Sequence, residues 1–269
     1  MPVTAVPAAT VILLRDARSG PEVLLLARHS RSEFLPDAYV FPGGRVEDAD
    51  HDLVDRIFGL SRAQASRRLA TVPGEQALGY FVAGIRETYE ESGILLARRR
   101  GSSELLDASS AAKLSRHRLD VQKGDASFRE LVLAEDLMLA ADLLSVHAHW
   151  ITPEDSPRRF DTIFFATRTP PGQAAAHDGV ELTDHAWLAP KQALAEFRAG
   201  RRQMIIPTWA NLETLSGFAT AEAALEASRR RPIVPILPAM VERDGRRRLV
   251  IREDAGYPTT EELVGGPAA

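Results

Sequence analysis

The sequence predicts an α+β protein in which helices cover both faces of a mixed β-sheet, an α/β/α sandwich. Apolar runs that read as hairpins occur early and late in the chain, and a strongly amphipathic helix lies between them. The 269 residues are 45% apolar and 26% charged, which is the composition of a globular protein with a full hydrophobic core.

Composition also excludes several classes of protein. The chain has no cysteine, which rules out disulfides and thiolate metal sites and fits a reducing cytoplasm. No apolar run approaches the roughly 18 residues of a membrane helix, and no basic segment precedes the first apolar run. The net charge of -4 argues against a nucleic-acid-binding protein. We therefore expect a cytoplasmic protein that binds neither nucleic acid nor membrane.

The first strands are predicted near the N-terminus. Residues 9–14 and 22–27 are apolar and branched, and the turn signal Ser-Gly-Pro at 19–21 joins them, so they are expected to form a buried hairpin. A third short strand, 39–41, runs into Pro-Gly-Gly at 42–44, which predicts a loop where the backbone approaches another group closely.

Helices dominate the next part of the sequence. Residues 51–72 have helical character, and a strong helix is predicted from 75 to 92, ended by Gly93 as a left-handed cap. Residues 101–125 have a weak helical pattern, and 128–144 have the pattern of an amphipathic helix.

Strands return in the second half, followed by further helices. The ranges predicted as strands are 146–151, 162–167 and 186–188. His147 and His149 alternate along the first of these, so they are expected on one face as packing or pocket-lining residues. Residues 191–230 are predicted as two or three helices, and Asp-Gly at 244–245 predicts a hairpin between 233–241 and 247–252.

A cluster of glutamates ends the predicted helix 75–92. Its members are Glu87, Glu90 and Glu91. On a helical wheel they lie opposite the apolar stripe that contains Leu78 and Ile85, and they face one another. Like charges one turn apart repel, and carboxylates in the last turn face the negative end of the helix dipole. A glutamate run alone is usually a solvated face, but a divalent cation would reverse both penalties, and oxygen ligands suit Mg²⁺ or Mn²⁺. Arg86 flanks the cluster and could orient one carboxylate.

These residues resemble a known motif. Residues 86–94, Arg-Glu-Thr-Tyr-Glu-Glu-Ser-Gly-Ile, resemble the second half of the Nudix box, REUxEExGU, in which U is a bulky aliphatic residue. Thr88 departs from the pattern at one aliphatic position. Residues 41–46, Phe-Pro-Gly-Gly-Arg-Val, look like the opening of the box. The resemblance implies a Nudix fold and a Nudix-type hydrolase.

The spacing inside the box departs from the family pattern. Asp50 stands six residues after Gly44, where the family has an acidic residue, usually glutamate. Thirty-five residues then separate Asp50 from Arg86, where the family has seven, so an insertion of 28 residues occupies about 52–79. An interrupted box of this kind resembles the acyl-coenzyme A diphosphatase subfamily, as does Trp-Ile-Thr-Pro at 150–153.

The resemblance also implies a division of the chain. Residues 1–190 would form the Nudix domain, with the insertion at about 52–79 and a helical segment at about 101–145. Residues 191–269 would form a helical and hairpin extension packed on the same domain.

The resemblance implies that bound Mg²⁺ or Mn²⁺ assists the attack of water on a diphosphate. The implied metal ligands are Glu87, Glu91, Glu90 and the Gly44 carbonyl. Arg86 joins the glutamates as a catalytic residue. The residues expected to contact substrate are Arg28, Arg45 and Gly43. The general base is left open between a member of the triad, Glu154 and Glu181.

The preferred substrate from this resemblance is coenzyme A or an acyl-CoA, cleaved to 3′,5′-ADP and a phosphopantetheine. NADH, ADP-ribose and dinucleoside polyphosphates are the alternative substrates within hydrolases. A non-catalytic nucleotide sensor on the same fold would be expected to lose the three glutamates, and a related isomerase would want a catalytic cysteine in its best-known form. The expected partner is a small nucleoside-diphosphate derivative, and a homodimer is left open.

Overall fold

The computed structural model describes residues 3–29, 37–123, 126–176 and 182–263 of the chain. Within these ranges the strands are, in chain order, β1 (Val6–Ala17), β2 (Gly20–Arg28), β3 (Tyr39–Val40), β4 (Gly43–Arg45), β5 (Ala97–Arg99), β6 (Leu137–Leu139), β7 (Ser145–Ile151), β8 (Phe160–Arg168), β9 (Leu182–Leu188), β10 (Pro235–Ile236), β11 (Ala239–Arg243), β12 (Arg246–Val250) and β13 (Glu261–Leu263).

The α-helices in the same ranges are α1 (Asp48–His51), α2 (Arg62–Arg68), α3 (Ala77–Ser92), α4 (Ala108–Leu114), α5 (Arg118–Lys123), α6 (Phe128–Ala134), α7 (Pro190–Arg198), α8 (Ile206–Leu215) and α9 (Ala221–Arg230). Single 3₁₀ turns occur at Val54–Arg56, Ser115–His117, Ala141–Leu143 and Glu253–Ala255.

Eight of these strands form the main sheet. Its order is β10, β7, β8, β1, β2, β3, with β4 also paired to β1 and β9 to β2. β1 runs parallel to β8 and antiparallel to β2, so the sheet is mixed, as predicted. The predicted hairpin is confirmed, since Leu14 pairs with Val23 and Ala17 with Gly20. Gly20 has a φ of 117°, a backbone conformation that side-chain-bearing residues rarely adopt.

Alternate residues of the central strands face two separate hydrophobic cores. Val11 and Leu13 belong to the core shared with α3, whereas Ile12 and Leu14 belong to the core shared with α8 and α9. Because the sheet is covered on both faces, β1 reads as a continuous apolar run rather than an alternating one. The three-layer α/β/α architecture is thereby confirmed.

The central helix α3 is buried on almost every side. Of its residues only Glu87 and Glu90 are not buried. Gly84 faces the sheet, where an added Cβ would stand 3.1 Å from Val11 Cγ2. The absence of a side chain at Gly84 therefore lets the helix approach the sheet closely. The helix ends at Gly93 with a φ of 74°, as predicted.

The segment predicted as the insertion, about 52–79, folds back onto α3. The part of it that precedes α3 contributes five buried side chains to the core around that helix, namely Leu53, Leu60, Ala65, Leu69 and Val72. Its two ends meet, because the His51 ring lies where a Cβ on Gly79 would stand. The segment 51–72, predicted as helical, forms α2 and a 3₁₀ turn rather than one continuous helix.

The prediction of one helix over 128–144 is wrong. The helix α6 ends at Ala134, and Asp136 adopts a positive φ of 45° that breaks the helix. β6 (Leu137–Leu139) then pairs antiparallel with β5 (Ala97–Arg99). The alternation of buried and half-buried residues in Leu-Met-Leu is compatible with a strand as well as with a helix. The pairing with β5 favours the strand.

The two histidines of β7 do not share a face, contrary to expectation. A bulge in the pairing with β8, just before Ala148, shifts the register by one residue. His147 Nδ1 lies 2.8 Å from Ser228 Oγ on α9, whereas His149 Nδ1 lies 2.9 Å from Thr71 Oγ1 in the insertion. Burial lowers the pKa of His147 to about 3, so its ring is neutral and serves as packing.

The C-terminal part covers the second face of the sheet. Helices α7, α8 and α9 occupy the region predicted as helical, and β11, β12 and β13 form a separate sheet. The hairpin predicted at Asp244 and Gly245 is confirmed, with φ of 53° and 68° at the two turn residues. The domain boundary at residue 190 stays a prediction. In the described ranges, no helix is both long and apolar enough to cross a membrane.

Candidate active site

The strand β4 brings two glycines against α3. β1 and β2 separate beyond their hairpin, and the segment 39–45 lies between them, with β3 on β2 and β4 on β1. An added Cβ on Gly43 would stand 2.6 Å from the Ala9 carbonyl oxygen, and one on Gly44 would collide with the Glu87 carboxylate. The predicted loop is thus a short strand. The close approach expected from the two glycines is what the structure shows.

Gly43 fixes the carboxylate nearest the sheet. Its backbone N–H donates to Glu91 Oε2 over 2.9 Å. Glu91 is only 8% exposed. Because Gly43 is itself paired with Thr10 of β1, this glutamate is positioned by the main sheet.

Arg86 organises the other carboxylates. Its Nε and Nη2 donate to both oxygens of Asp50 over 2.8 and 3.0 Å, and its Nη2 also donates to the Arg45 carbonyl. Its Nη1 donates to Glu87 over 2.8 Å and to Glu90 over 3.2 Å. All five N–H groups of the guanidinium are therefore used, which fixes the plane of the side chain and the two glutamates with it.

The pKa values of the cluster show that one guanidinium does not fully compensate the buried carboxylates. The pKa of Glu87 is raised, with burial as the largest cause; the charge and hydrogen bond of Arg86 oppose the rise, and the charges of Asp50 and Glu47 add to it. Burial likewise raises the pKa of Glu90 to about 7 against the lowering effect of Arg86. Burial also lowers the pKa of Arg86, but the bonds and charges of its carboxylate partners outweigh this and raise it.

Asp50 joins the site from across the insertion. Its side chain is 1% exposed and is bound bidentately by Arg86. It also accepts from the Glu47 N–H over 2.8 Å, which completes a capping box at the start of α1. Glu47, an exposed carboxylate beside the cluster, was not among the predicted site residues. The signal that could have found it is the acidic pair Glu47 and Asp50, three positions apart at the start of a short helix.

The structure places three of the other predicted site residues, and a fourth lies outside the described ranges. The side chain of Arg45 is exposed, and only its carbonyl enters the cluster. Arg28 ends β2, and its buried Nε has no hydrogen-bond partner among the described residues. Glu154 is exposed in the connection between β7 and β8, and Glu181 lies outside the described residues. The substrate-contacting roles of Arg28, Arg45 and Gly43 stay predictions, as does the general base.

The donor set fits a divalent cation. Asp50, Glu87 and Glu90 surround the one guanidinium of Arg86, so three buried carboxylates share a single positive charge. Within the described ranges no three acidic or histidine side chains are arranged so that they could hold a metal ion. The carboxylates are bonded instead to Arg86 or, for Glu91, to the Gly43 N–H. The oxygens belong to the chemical type that Mg²⁺ and Mn²⁺ prefer.

A mixed sheet that opens around a glycine pair, with a glutamate-bearing helix beneath the opening, defines a Nudix-type domain. The sequence model of the NUDT19 Nudix domain matches residues 53–215, which is more than half of the chain. The chain belongs to the NUDT19 Nudix domain family. The matched segment contains Arg86 and the glutamates but begins after Gly44 and Asp50, so it starts within the predicted insertion.

Individual relatives agree with this assignment. The acyl-coenzyme A diphosphatase NUDT19 of Xenopus laevis is 31% identical over 234 residues, covering 75% of this chain and 61% of the relative. The protein of the same name from Gallus gallus is 32% identical, covering 74% of this chain and 62% of the relative. The chain thus spans about three fifths of the length of these relatives.

A solved structure confirms the fold. The crystal structure of a NUDIX hydrolase from Alicyclobacillus acidocaldarius superposes with a TM-score of 0.70 at 27% identity, covering 83% of this chain and 96% of that one.

Proposed function

We propose that this protein is a divalent-metal-dependent diphosphatase that cleaves coenzyme A or acyl-CoA to 3′,5′-ADP and phosphopantetheine or its acyl form. One observation carries the proposal: a buried cluster in which three carboxylates share one guanidinium lies beneath a glycine pair, in a chain whose relatives are named acyl-coenzyme A diphosphatases.

Glu87, Glu90 and Glu91, with the Gly44 carbonyl, would hold Mg²⁺ or Mn²⁺. The cation supplies charge neutralisation of the diphosphate and activation of the attacking water. In the reaction a water oxygen bonds to one phosphorus and the bond from that phosphorus to the bridging oxygen breaks. The bridging oxygen leaves with the other phosphate, and the water proton passes to a base.

The chain's own residues set the geometry of this reaction. Arg86 fixes the carboxylates of Glu87 and Glu90, while Gly43 fixes that of Glu91. The absence of a Cβ on Gly44 leaves the Glu87 carboxylate beside the backbone. Arg28 and Arg45 are proposed to meet substrate phosphates, because a guanidinium pairs well with phosphate oxygens.

The test is a hydrolysis screen with Mg²⁺ and with Mn²⁺ over coenzyme A, an acyl-CoA, NADH, ADP-ribose and diadenosine polyphosphates, with the products resolved by mass. Release of 3′,5′-ADP from coenzyme A or the acyl-CoA is expected. Cleavage of another substrate alone would keep the diphosphatase class and overturn the CoA assignment.

The variant Glu91→Gln tests whether the Glu91 carboxylate is needed for turnover. We expect it to fold and to lose turnover by about a hundredfold or more, since one negative charge toward the cation is removed. The matched control is Glu75→Gln, an exposed glutamate just before α3. A second candidate, a nucleotide sensor without turnover, would be favoured if the wild-type protein bound metal and nucleotide but cleaved nothing in the screen.

A further inference from the structure

The C-terminal extension reaches the strand that leads into the glycine pair. In the connection between α7 and α8, the Gln203 carbonyl accepts from the Tyr39 N–H over 2.8 Å, and Gln203 forms a parallel bridge with Ala38. β3 has only two residues, and on its other side it pairs with Leu26 and Ala27 of β2. The extension therefore supplies the second edge of this very short strand.

Arg202, next to Gln203, strengthens the same contact. Its guanidinium carbon stands 4.1 Å from the centre of the Tyr39 ring, and its Nε donates to Glu196 of α7 over 2.5 Å. Arg202 and Glu196 are each 18% exposed, so the cation over the ring is partly withdrawn from water. A cation–π contact is stronger in such a place than on an open surface.

The distance along the chain from this contact to the glycine pair is short. Phe41 follows β3 and is 3% exposed in the second core, and the Pro42 carbonyl then accepts from the Val11 N–H over 2.8 Å. Gly43, the next residue, donates to Glu91. Because these residues are packed and bonded one after another, a shift of β3 has little room to relax before it reaches Gly43.

We propose that Arg202 is a positioning residue: by holding Tyr39 it keeps β3 in register, so that the Gly43 N–H meets the Glu91 carboxylate. The competing explanation is that the contact only pins the extension to the sheet. The two explanations differ in which part of the protein changes when Arg202 is lost: the Gly43 amide in the first, and the extension without Gly43 in the second. The part of the proposal that concerns turnover rests on the proposed function, whereas the part that concerns Gly43 does not.

The experiment measures hydrogen exchange at Gly43 itself. Labelling with proline carbonyl ¹³C and glycine ¹⁵N selects glycines that follow a proline, which in this sequence are Gly43, Gly74 and Gly172. In Arg202→Ala the Gly43 amide is expected to exchange about tenfold faster, while the other two amides are unchanged, since a contact of this class is worth about that factor.

Three further variants sharpen the result. Arg202→Met keeps the apolar stem of the side chain without its charge and replaces Arg202→Ala should that variant fail to fold. Arg202→Lys keeps a cation over the ring and is expected to restore slow exchange. Arg198→Ala breaks the Arg198–Glu213 ion pair of the same extension, away from β3, and is expected to leave Gly43 unchanged.

Turnover provides the second measurement. With the substrate found in the hydrolysis screen, Arg202→Ala is expected to lower kcat about tenfold and to change KM less than kcat, since the main change is at the catalytic carboxylate. Unchanged exchange at Gly43 in Arg202→Ala and Arg202→Met would overturn the proposal. An equal rise at Gly43, Gly74 and Gly172 would overturn it too, because it would mean general destabilisation. If the wild-type protein cleaves nothing in the screen, the proposed function is wrong. The hydrogen exchange at Gly43 then still tests the positioning role of Arg202.

Discussion

At the scale of single residues, one guanidinium determines the arrangement of the site. Arg86 is 7% exposed and has four protein partners, three of them carboxylates. A buried arginine with every N–H bonded can hold planar groups in one arrangement, which a lysine could not do. The carboxylates are thus arranged before any ligand arrives.

We predict that Asp50→Ala destabilises the protein by about 1–3 kcal/mol, because it leaves two buried N–H donors of Arg86 without an acceptor while Glu87 and Glu90 still neutralise the guanidinium. The measurement is urea unfolding of the metal-free protein. Asp48→Ala, an exposed aspartate on the same short helix, is the matched control and is expected to change stability by no more than about 0.5 kcal/mol. Equal losses in the two variants would contradict a special role for Asp50.

A second prediction concerns pH. Burial raises the pKa of Glu90 to about 7 from 4.5, so the folded protein binds more protons than the unfolded chain between these values. The free energy of unfolding of the metal-free protein should therefore fall as the pH rises through this window. Glu90→Gln should reduce the fall between about pH 5 and about pH 8 by on the order of 2 kcal/mol.

Denaturant unfolding in EDTA at the two pH values tests this, with Glu75→Gln as the control on an exposed glutamate. A pH dependence that is the same in wild type and Glu90→Gln would contradict the raised pKa.

The sequence predicted the acidic cluster and a contact between Arg86 and one of its carboxylates, but not the ion pair between Arg86 and Asp50. Glu87, Glu90 and Glu91 are close in the chain, so helical periodicity alone brings them together. The partnership of Arg86 with Asp50 spans the insertion, and no local pattern encodes a contact between residues so far apart in the chain.

At the scale of elements, the insertion is part of the core rather than an addition to it. Its buried leucines pack in the same cluster as α3 and the sheet. A deletion of the insertion is therefore a poor test of whether this segment determines the choice of substrate. Deleting the segment would expose the helix that bears the glutamates, so a changed preference in such a deletion would not by itself reveal a specificity element.

We predict that Leu69→Ala in the insertion costs about 2–5 kcal/mol of stability, the range found when a fully buried leucine is truncated. Leu69 is 1% exposed. Leu133→Ala is the matched control, because this leucine of α6 is 36% exposed, and it should cost no more than about 1 kcal/mol. If Leu69→Ala were as mild as the control, the insertion would not be part of the core.

The elements that were not predicted from the sequence depend on pairing between strands that are distant in the chain. β6 forms because β5 lies beside it, and Asp136 ends the preceding helix with a positive φ. The bulge that separates His147 from His149 arises in the pairing of β7 with β8. Hairpins and caps, by contrast, are local, and Gly93 and Gly245 gave their positions correctly.

At the scale of the whole molecule, the fold itself creates the excess negative charge at the site. The sheet opens around residues 39–45, and α3 and the insertion pack in one core against it, so the carboxylates at the end of α3 are largely withdrawn from water. Burial without enough positive charge raises the free energy of the metal-free state. A cation that binds only the folded state should lower it again.

Mg²⁺ or Mn²⁺ should therefore stabilise the fold whatever the substrate proves to be. At a metal concentration about 100 times the dissociation constant the gain is about 2.7 kcal/mol. In a chain of this size each kcal/mol corresponds to about 2–4 °C, so Tm should rise by about 5–10 °C. Thermal unfolding with MgCl₂, compared with NaCl at equal ionic strength, separates binding from charge screening. Glu91→Gln should weaken the shift, while Glu75→Gln should keep it. An equal rise with both salts would mean that the carboxylates do not bind the cation, and a full shift in Glu91→Gln would remove that residue from the ligands.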